Sequence, residues 1–316
     1  MDQRRIASAL RGLERTGPLP AAGDDADAAD AELHMLLCRR DLRIGVLALK
    51  SLLHFAPLRW AVTLSDDGTL TPADRQWASR HVPGARWLSW PAAGNLVEQA
   101  LGAHSPRLLS LYHSRYAPVC KLLHPMLLPR HPRTLVLDPD TAFFQEPMHL
   151  VRWAKGADPA PLYLHDHQDE SVQVPAEAQR AFAELDGWLQ KSQIPHPKSE
   201  IRNWSLGHRF FNSGLLAFSP AQLDLDLAEA YLTWQAQAPA AYRRGKLAIW
   251  FGDWTPEQTC YHVMFARSDP PAQPLGADYH LGGEGGRVFN HFLRHYLIQQ
   301  PTLQRLSWLV KELPGR

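Results

Sequence analysis

The sequence is short of three things, and each shortage removes a class of function. It has 3 cysteines, Cys38, Cys120 and Cys260, in 316 residues. They are far apart, odd in number and never spaced C-x-x-C, so neither a disulfide framework nor a cysteine-based zinc site is indicated. Cys38 lies in an apolar run and reads as a small core residue. Charge of one sign is also missing: 33 basic and 32 acidic residues give a net charge of +1, which offers no basic surface to a nucleic acid. Finally, no apolar run approaches the roughly 20 residues of a membrane-spanning helix. Met1–Arg15 is charged and lacks the apolar stretch of a secretory signal. These shortages lead to the expectation of a cytoplasmic protein with no integral membrane segment, located either free or at the inner face of a membrane.

What is present is ample core material, with 45% hydrophobic residues. Histidine (16) and tryptophan (11) are plentiful, so an isolated histidine is not by itself a signal for a ligand. The most informative stretch is Thr134–Pro147, TLVLDPDTAFFQEP. Thr134–Leu137 has the near-continuous apolar character of a strand covered on both faces. It ends in Asp138-Pro139-Asp140, at the place where open α/β sheets bind ligands. Pro139 fixes the backbone between the two acids and holds Asp138 extended. Two close carboxylates repel unless they share a proton or a cation, and hard oxygens of this kind suit Mn²⁺ or Mg²⁺. The same letters also fit an ordinary acidic turn.

Elsewhere the chain alternates strands and helices. Leu33–Cys38, Trp60–Leu64 and Ala85–Trp90 read as strands. Asp41 is placed to cap the helix that follows the first, and Thr71-Pro72 opens the helix after the second. This alternation predicts a parallel, doubly wound sheet. Arg39, Arg40, Asp66 and Asp67 fall at strand ends, where they either hold a ligand or form solvated turns. Ala117–Leu128 reads as a helix ended or kinked by Pro125. Leu162–Leu164 is a further strand candidate leading into a polar, histidine-containing loop, followed by a helical insertion over Ser171–Pro197. Phe210–Phe218 reads as a strand interrupted at Asn212-Ser213-Gly214, with Gly214 marking a bulge or a close backbone approach. Thr255-Pro256 starts a helix that carries Glu257 in its first turn. The glycines at 282, 283, 285 and 286 make a loop before His291. Leu303, Leu306, Leu309 and Leu313 share one face of a terminal helix. That face either docks on the domain or lies on a membrane surface.

The central stretch resembles the DXD motif of nucleotide-sugar-dependent glycosyltransferases of the GT-A fold: an apolar strand, Asp-x-Asp, a Thr, two aromatics and a Pro. Lys121-Leu122-Leu123, Asn212-Ser213-Gly214-Leu215-Leu216-Ala217-Phe218 and Glu257-Gln258 resemble further segments of that family, in the same order. The resemblance spans Leu33 to His295. It implies an α/β, Rossmann-like GT-A fold with a mostly parallel central sheet flanked by helices. It also implies one catalytic domain over 31–300, while residues 1–30, a weak helix followed by Ala/Asp-rich letters, read as a mobile segment and 301–316 as a C-terminal helix. Within that domain it puts a nucleotide-binding half at 31–150 and an acceptor and sugar half at 151–300.

The same resemblance assigns roles. Asp140, assisted by Asp138 and by His291, holds Mn²⁺ or Mg²⁺, with His280 and His295 as rival histidines. Lys121, Arg39, Asp66, Asn212, Ser213, Gly214 and Arg287 join Asp138 and Asp140 in binding the donor, a UDP-sugar first among the choices. Glu257 and Asp253 face the acceptor, which is a glycan, a lipid-linked sugar or a protein. Two other readings stand beside this one. The first is a binding protein that keeps the GT-A shell without turnover. The second is a haloacid-dehalogenase-type phosphatase. Its motif requires Thr two residues after the second Asp, whereas Thr141 follows at once and Ala142 takes that place.

Overall fold

The computed structural model describes residues 2–22, 28–165, 176–191, 211–243, 256–283 and 285–315. A short helix, α1 (Asp2–Ala9), precedes a run of βα steps. These are β1 (Ala31–Leu37) and α2 (Leu42–Phe55), β2 (Trp60–Asp66) and α3 (Pro72–His81), then β3 (Arg86–Ser89) and α4 (Trp90–Leu101). Helices α5 (Pro106–His113) and α6 (Val119–Leu127) lead into β4 (Thr134–Leu137). The middle of the chain adds β5 (Thr141–Phe143), α7 (Met148–Ala154), β6 (Leu162–His165), α8 (Ala176–Lys191), β7 (Phe211–Phe218) and α9 (Leu225–Gln237). It ends with α10 (Pro256–Phe265), β8 (Gln273–Pro274), β9 (Tyr279–Leu281), β10 (Phe289–His291), α11 (Leu293–Tyr296) and α12 (Gln300–Glu312).

Among the described residues the main sheet runs β3-β2-β1-β4-β7-β6-β8, and a small sheet runs β5-β10-β9. Within the main sheet β7 alone is reversed, pairing antiparallel with both β4 and β6. The sheet is therefore mostly parallel and flanked by helices, as expected. The unbroken apolar letters of its central strands follow from burial on both faces. In β4, Leu135 and Leu137 enter the core on one side and Val136 the core on the other. In β7, Leu215 and Ala217 enter the first, Leu216 and Phe218 the second.

Several local expectations are refined. Thr71 caps α3 in a full capping box with Asp74, with Pro72 in the first turn. Asp41 precedes α2 but makes no side-chain cap. Its carboxylate is taken instead by the Arg40 guanidinium and the Cys38 thiol. Pro125 lies inside α6, which continues to Leu127. A proline there has no N–H for the carbonyl four residues back, and the Lys121 carbonyl accepts the Tyr261 hydroxyl at 2.8 Å. β7 is not interrupted at Asn212-Ser213-Gly214. The irregularity appears in its pairing with β6, where Tyr163 faces Leu216 and Leu164 faces Asn212.

Residues 2–22, within the segment expected to be mobile, carry side chains that pack on the domain. Leu10 and Leu13 are fully buried and join the core that holds Leu306, Leu309 and Val310 of α12. Thr16 bridges to Gly315, and the buried Lys50 ammonium donates to Thr16 and Gly17. The segment carries enough apolar surface to dock, which the Ala/Asp-rich letters after it conceal. In α12, Leu303, Leu306 and Leu309, with Leu313 just beyond, turn inward and are buried, so this face packs on the domain and is not a membrane-facing stripe. No helix among the described residues is long and apolar enough to cross a membrane.

Candidate metal centre

β4 delivers Asp138-Pro139-Asp140 to the carboxyl edge of the main sheet, and the chain turns directly into β5. β5 pairs with β10 so that Thr141 faces His291. Two strands 150 residues apart in sequence thus bring one histidine to the acidic turn. Asp138, Asp140 and His291 each offer a ligand atom, and these atoms lie within 4.8 Å of one another. His291 Nε2 is 3.1 Å from Asp140 Oδ1 and 3.7 Å from Asp138 Oδ2.

The hydrogen bonds around His291 fix its tautomer. Its Nδ1 lies 3.0 Å from Asn212 Oδ1. That oxygen also accepts the Gly214 amide at 2.7 Å, which orients the Asn212 side-chain amide. Nδ1 therefore carries a hydrogen, and Nε2 faces the two carboxylates, where it holds the shared proton or, once a cation takes that proton's place, offers its lone pair. A metal-binding histidine characteristically donates its other N–H in this way. Gly214 is required for the approach: a Cβ on it would sit 2.2 Å from His291 Nδ1. Its carbonyl accepts the Asp138 amide at 2.9 Å, so the bulged strand and the acidic turn are joined by backbone as well. Burial alone would raise the Asp140 carboxyl, but His291 beside it holds it below its ordinary range. Burial likewise opposes charge on His291, and Asp140 and Asp138 raise it in spite of that. The cluster thus uses a proton to balance its acids. Two hard carboxylates and one oriented imidazole form a donor set that suits Mn²⁺ or Mg²⁺ in place of that proton.

Beside the triad lies a second buried group. Lys121 Nζ pairs with Asp138 at 2.5 Å and donates to Ser213 Oγ at 3.0 Å. Ser213 in turn donates its amide and hydroxyl to Gln258 Oε1, each at 3.2 Å. Glu257, in the first turn of α10 and only 7% exposed, accepts the Tyr116 hydroxyl. Burial raises the Glu257 carboxyl above its ordinary range. Lys121 and Tyr116 partly offset this, and Asp138 adds to it. Asn212, Ser213, Gly214, Lys121, Glu257 and the triad therefore form one continuous network. Tyr116, which joins it through Glu257, was not singled out by sequence patterns, and its partner is 141 residues away. No spacing rule links them.

The remaining candidates are placed differently. Asp66 closes the turn after β2: it accepts the Gly68 and Leu70 amides and pairs with Arg75 at 2.9 Å. Arg39 is exposed and pairs with Asp74 at 3.4 Å. Arg287 lies beyond the far end of β10 from His291, gripped by Asp278 at 2.8 and 3.0 Å. Arg40, the other strand-end cation, is held by Asp41 at 2.6 and 2.8 Å. His280 lies against Gly285 and outside the triad. Asp253 and the histidine-rich loop after His165 lie outside the described residues, as does the side chain of His295.

No family model matches the sequence, and neither does any curated protein. Solved structures do match. Mouse xyloside xylosyltransferase 1, in its apo form, aligns over 84% of this chain and 98% of its own at 12% identity, with a TM-score of 0.50. Core-mannan synthase A of Aspergillus fumigatus, in its Mn/GDP form, aligns over 95% and 91% at 12% identity, with a TM-score of 0.47. The fold is that of the GT-A glycosyltransferases.

Proposed function

We propose that this chain is a metal-dependent glycosyltransferase that moves a sugar from a nucleotide-sugar donor, a UDP-sugar in the first instance, to an acceptor sugar, lipid-linked sugar or protein. The observation that carries this reading is the Asp138–Asp140–His291 triad, with its histidine oriented by Asn212, at the ligand-binding edge of a GT-A sheet. Asp138, Asp140 and His291 would hold Mn²⁺ or Mg²⁺. When bound, the cation stabilises the negative charge that grows on the leaving diphosphate. Lys121 adds a fixed positive charge at the same edge. Arg39 would hold the nucleotide and Arg287 the diphosphate, each leaving its present partner, Asp74 or Asp278. Asn212 and Ser213 line the sugar side. Asp66 shapes the base pocket by closing its turn. Glu257, with its raised carboxyl, faces the acceptor. It removes the hydroxyl proton in an inverting reaction, or steadies the oxocarbenium-like transition state in a retaining one.

A thermal-shift panel of UDP-, GDP-, dTDP- and CMP-sugars, each with and without Mn²⁺, tests the reading. A ligand that binds only the folded protein raises its melting temperature. The expected result is an Mn²⁺-dependent rise with one nucleotide class, followed by release of that nucleotide on turnover. A donor-dependent rise with no turnover on any acceptor or on water would favour the binding-shell alternative. No rise with any donor would remove the transferase reading and favour a GT-A shell that binds a partner protein.

A further inference from the structure

The exposed edge of α12 carries a feature that the metal centre does not use. Trp308 is 44% exposed, yet its indole is braced: it stacks on Phe144 with ring centroids 6.2 Å apart and an interplanar angle of 28°. Arg305 sits over the other contact of that ring, its guanidinium carbon 3.9 Å from the Phe144 centroid. Two concavities meet at Trp308. One, of about 540 Å³, lies between β5, the glycine loop and α12. The other, of about 450 Å³, lies between α1 and α12. Trp308 and Gln304 line both. Each volume falls within the range of about 300–1,000 Å³ common to small-molecule sites. The result is a two-lobed groove with a rigid aromatic ridge at its middle.

Its chemistry is distinctive. The first lobe presents Gln145 and Arg305, with Arg287 at its edge paired to Asp278, and the second presents Arg5, Ser307 and Lys311; among the described residues no carboxylate lines either lobe. Arg305 is held in place by its bonds to Asn290 Oδ1 and the Gly286 carbonyl, both at 2.8 Å. An indole face attracts the slightly positive C–H groups of a flat, partly apolar ring. Side-chain amides and a hydroxyl recognise neutral oxygens, and arginine and lysine recognise anionic ones. A membrane surface fits less well. The apolar face of α12 is already buried in the core, and one tryptophan set between two hollows presents no convex apolar plane to insert.

We infer that the groove across Trp308 binds an extended acidic saccharide, with sugar rings stacked on the indole and their carboxylate, sulfate or phosphate groups met by the flanking arginine and lysine side chains. The site is separate from the triad. Phe144 lies at the opposite end of the short β5–β10 ladder from the Thr141–His291 pair, about 10 Å along the strand at about 3.3 Å per residue. The inference does not depend on catalysis.

Isothermal titration of the full chain tests it. The probes are a sulfated heparin-derived hexasaccharide, a hexagalacturonate, neutral cellohexaose, inorganic sulfate, and phosphatidylglycerol vesicles. At least one acidic oligosaccharide is expected to bind, more tightly than cellohexaose or sulfate, and to weaken as salt is raised. Trp308→Ala is expected to weaken binding at least tenfold, and so is the exposed pair Gln304→Ala/Lys311→Glu, which leaves the indole packing intact. Asp140→Asn is expected to bind the saccharide as the wild type does, which separates this groove from the metal centre. Equal affinity for cellohexaose, binding of vesicles but of no oligosaccharide, or undiminished affinity in both groove variants would each overturn the inference.

Discussion

At the residue scale, the candidate site turns on one side chain that never touches a carboxylate. Asn212 accepts the Nδ1 hydrogen of His291 and so points Nε2 at Asp138 and Asp140. Asn212→Ala removes that acceptor and leaves the three ligands in place. Changes of this kind typically cost 10- to 100-fold in metal affinity, and a loss in that range is expected when Mn²⁺ binding is followed by electron paramagnetic resonance. Unchanged affinity would mean that the histidine is oriented by other means. The acids themselves were legible in the sequence, because an apolar run ending in Asp-Pro-Asp is a local pattern. The meeting of His291 with them was not, because the pairing of β10 with β5 brings it there. Asp41 shows the converse: its position suits a cap, but Arg40 and Cys38 compete for its carboxylate and win.

At the scale of elements, two buried connections between separate segments carry predictions. The first compensates for Pro125: the Lys121 carbonyl is bonded to the Tyr261 hydroxyl, which ties α6 to α10 and so places Lys121 next to Glu257. Tyr261→Phe leaves that buried carbonyl without this donor, at a cost of about 1–3 kcal/mol. Urea unfolding should show that loss, with little change in the slope of the transition. The second is Glu32 of β1, fully buried, which accepts from Thr63 of β2 and from the amides of Arg130 and His131 before β4. Burial works against its charge, but His34, Thr63 and the Arg130 amide together bring the carboxyl down to about 2 from 4.5. A depressed carboxyl stabilises the fold above its unfolded value and loses that contribution as pH falls from about 4.5 toward 2. At about 1.36 kcal/mol per pH unit the contribution is on the order of 3 kcal/mol. The wild type should therefore lose stability faster than Glu32→Gln over that interval, as read by thermal denaturation. Parallel melting curves for the two proteins would contradict this. The strands of the main sheet were legible because burial on both faces leaves them uniformly apolar. The small β5-β10-β9 sheet was not, since three-residue strands carry no period, and its pairing is decided by the tertiary fold.

At the scale of the whole molecule, the ends of the described chain close on each other. α1 and the turn after it pack on α12, and Lys50 reaches from α2 to hold Thr16 and Gly17. The leucine stripe of α12 was visible in the sequence, but the sequence alone could not say whether it faced protein or lipid. Because Leu306 is fully buried, Leu306→Ala is expected to cost about 2–5 kcal/mol of stability and to leave vesicle binding unaltered. A stable variant that has lost vesicle binding would reverse that reading.

The central claim is that the triad holds a cation and that the cation holds the donor. The most direct test is calorimetric titration of the nucleotide sugar that gives the largest thermal shift, into wild type and Asp140→Asn, each with Mn²⁺ and with a chelator. The expected result is donor binding by the wild type that weakens at least tenfold on chelation. The variant, with an unchanged circular-dichroism spectrum, should bind no better with Mn²⁺ than without it. Equal Mn²⁺-dependent affinity in both proteins would contradict the claim.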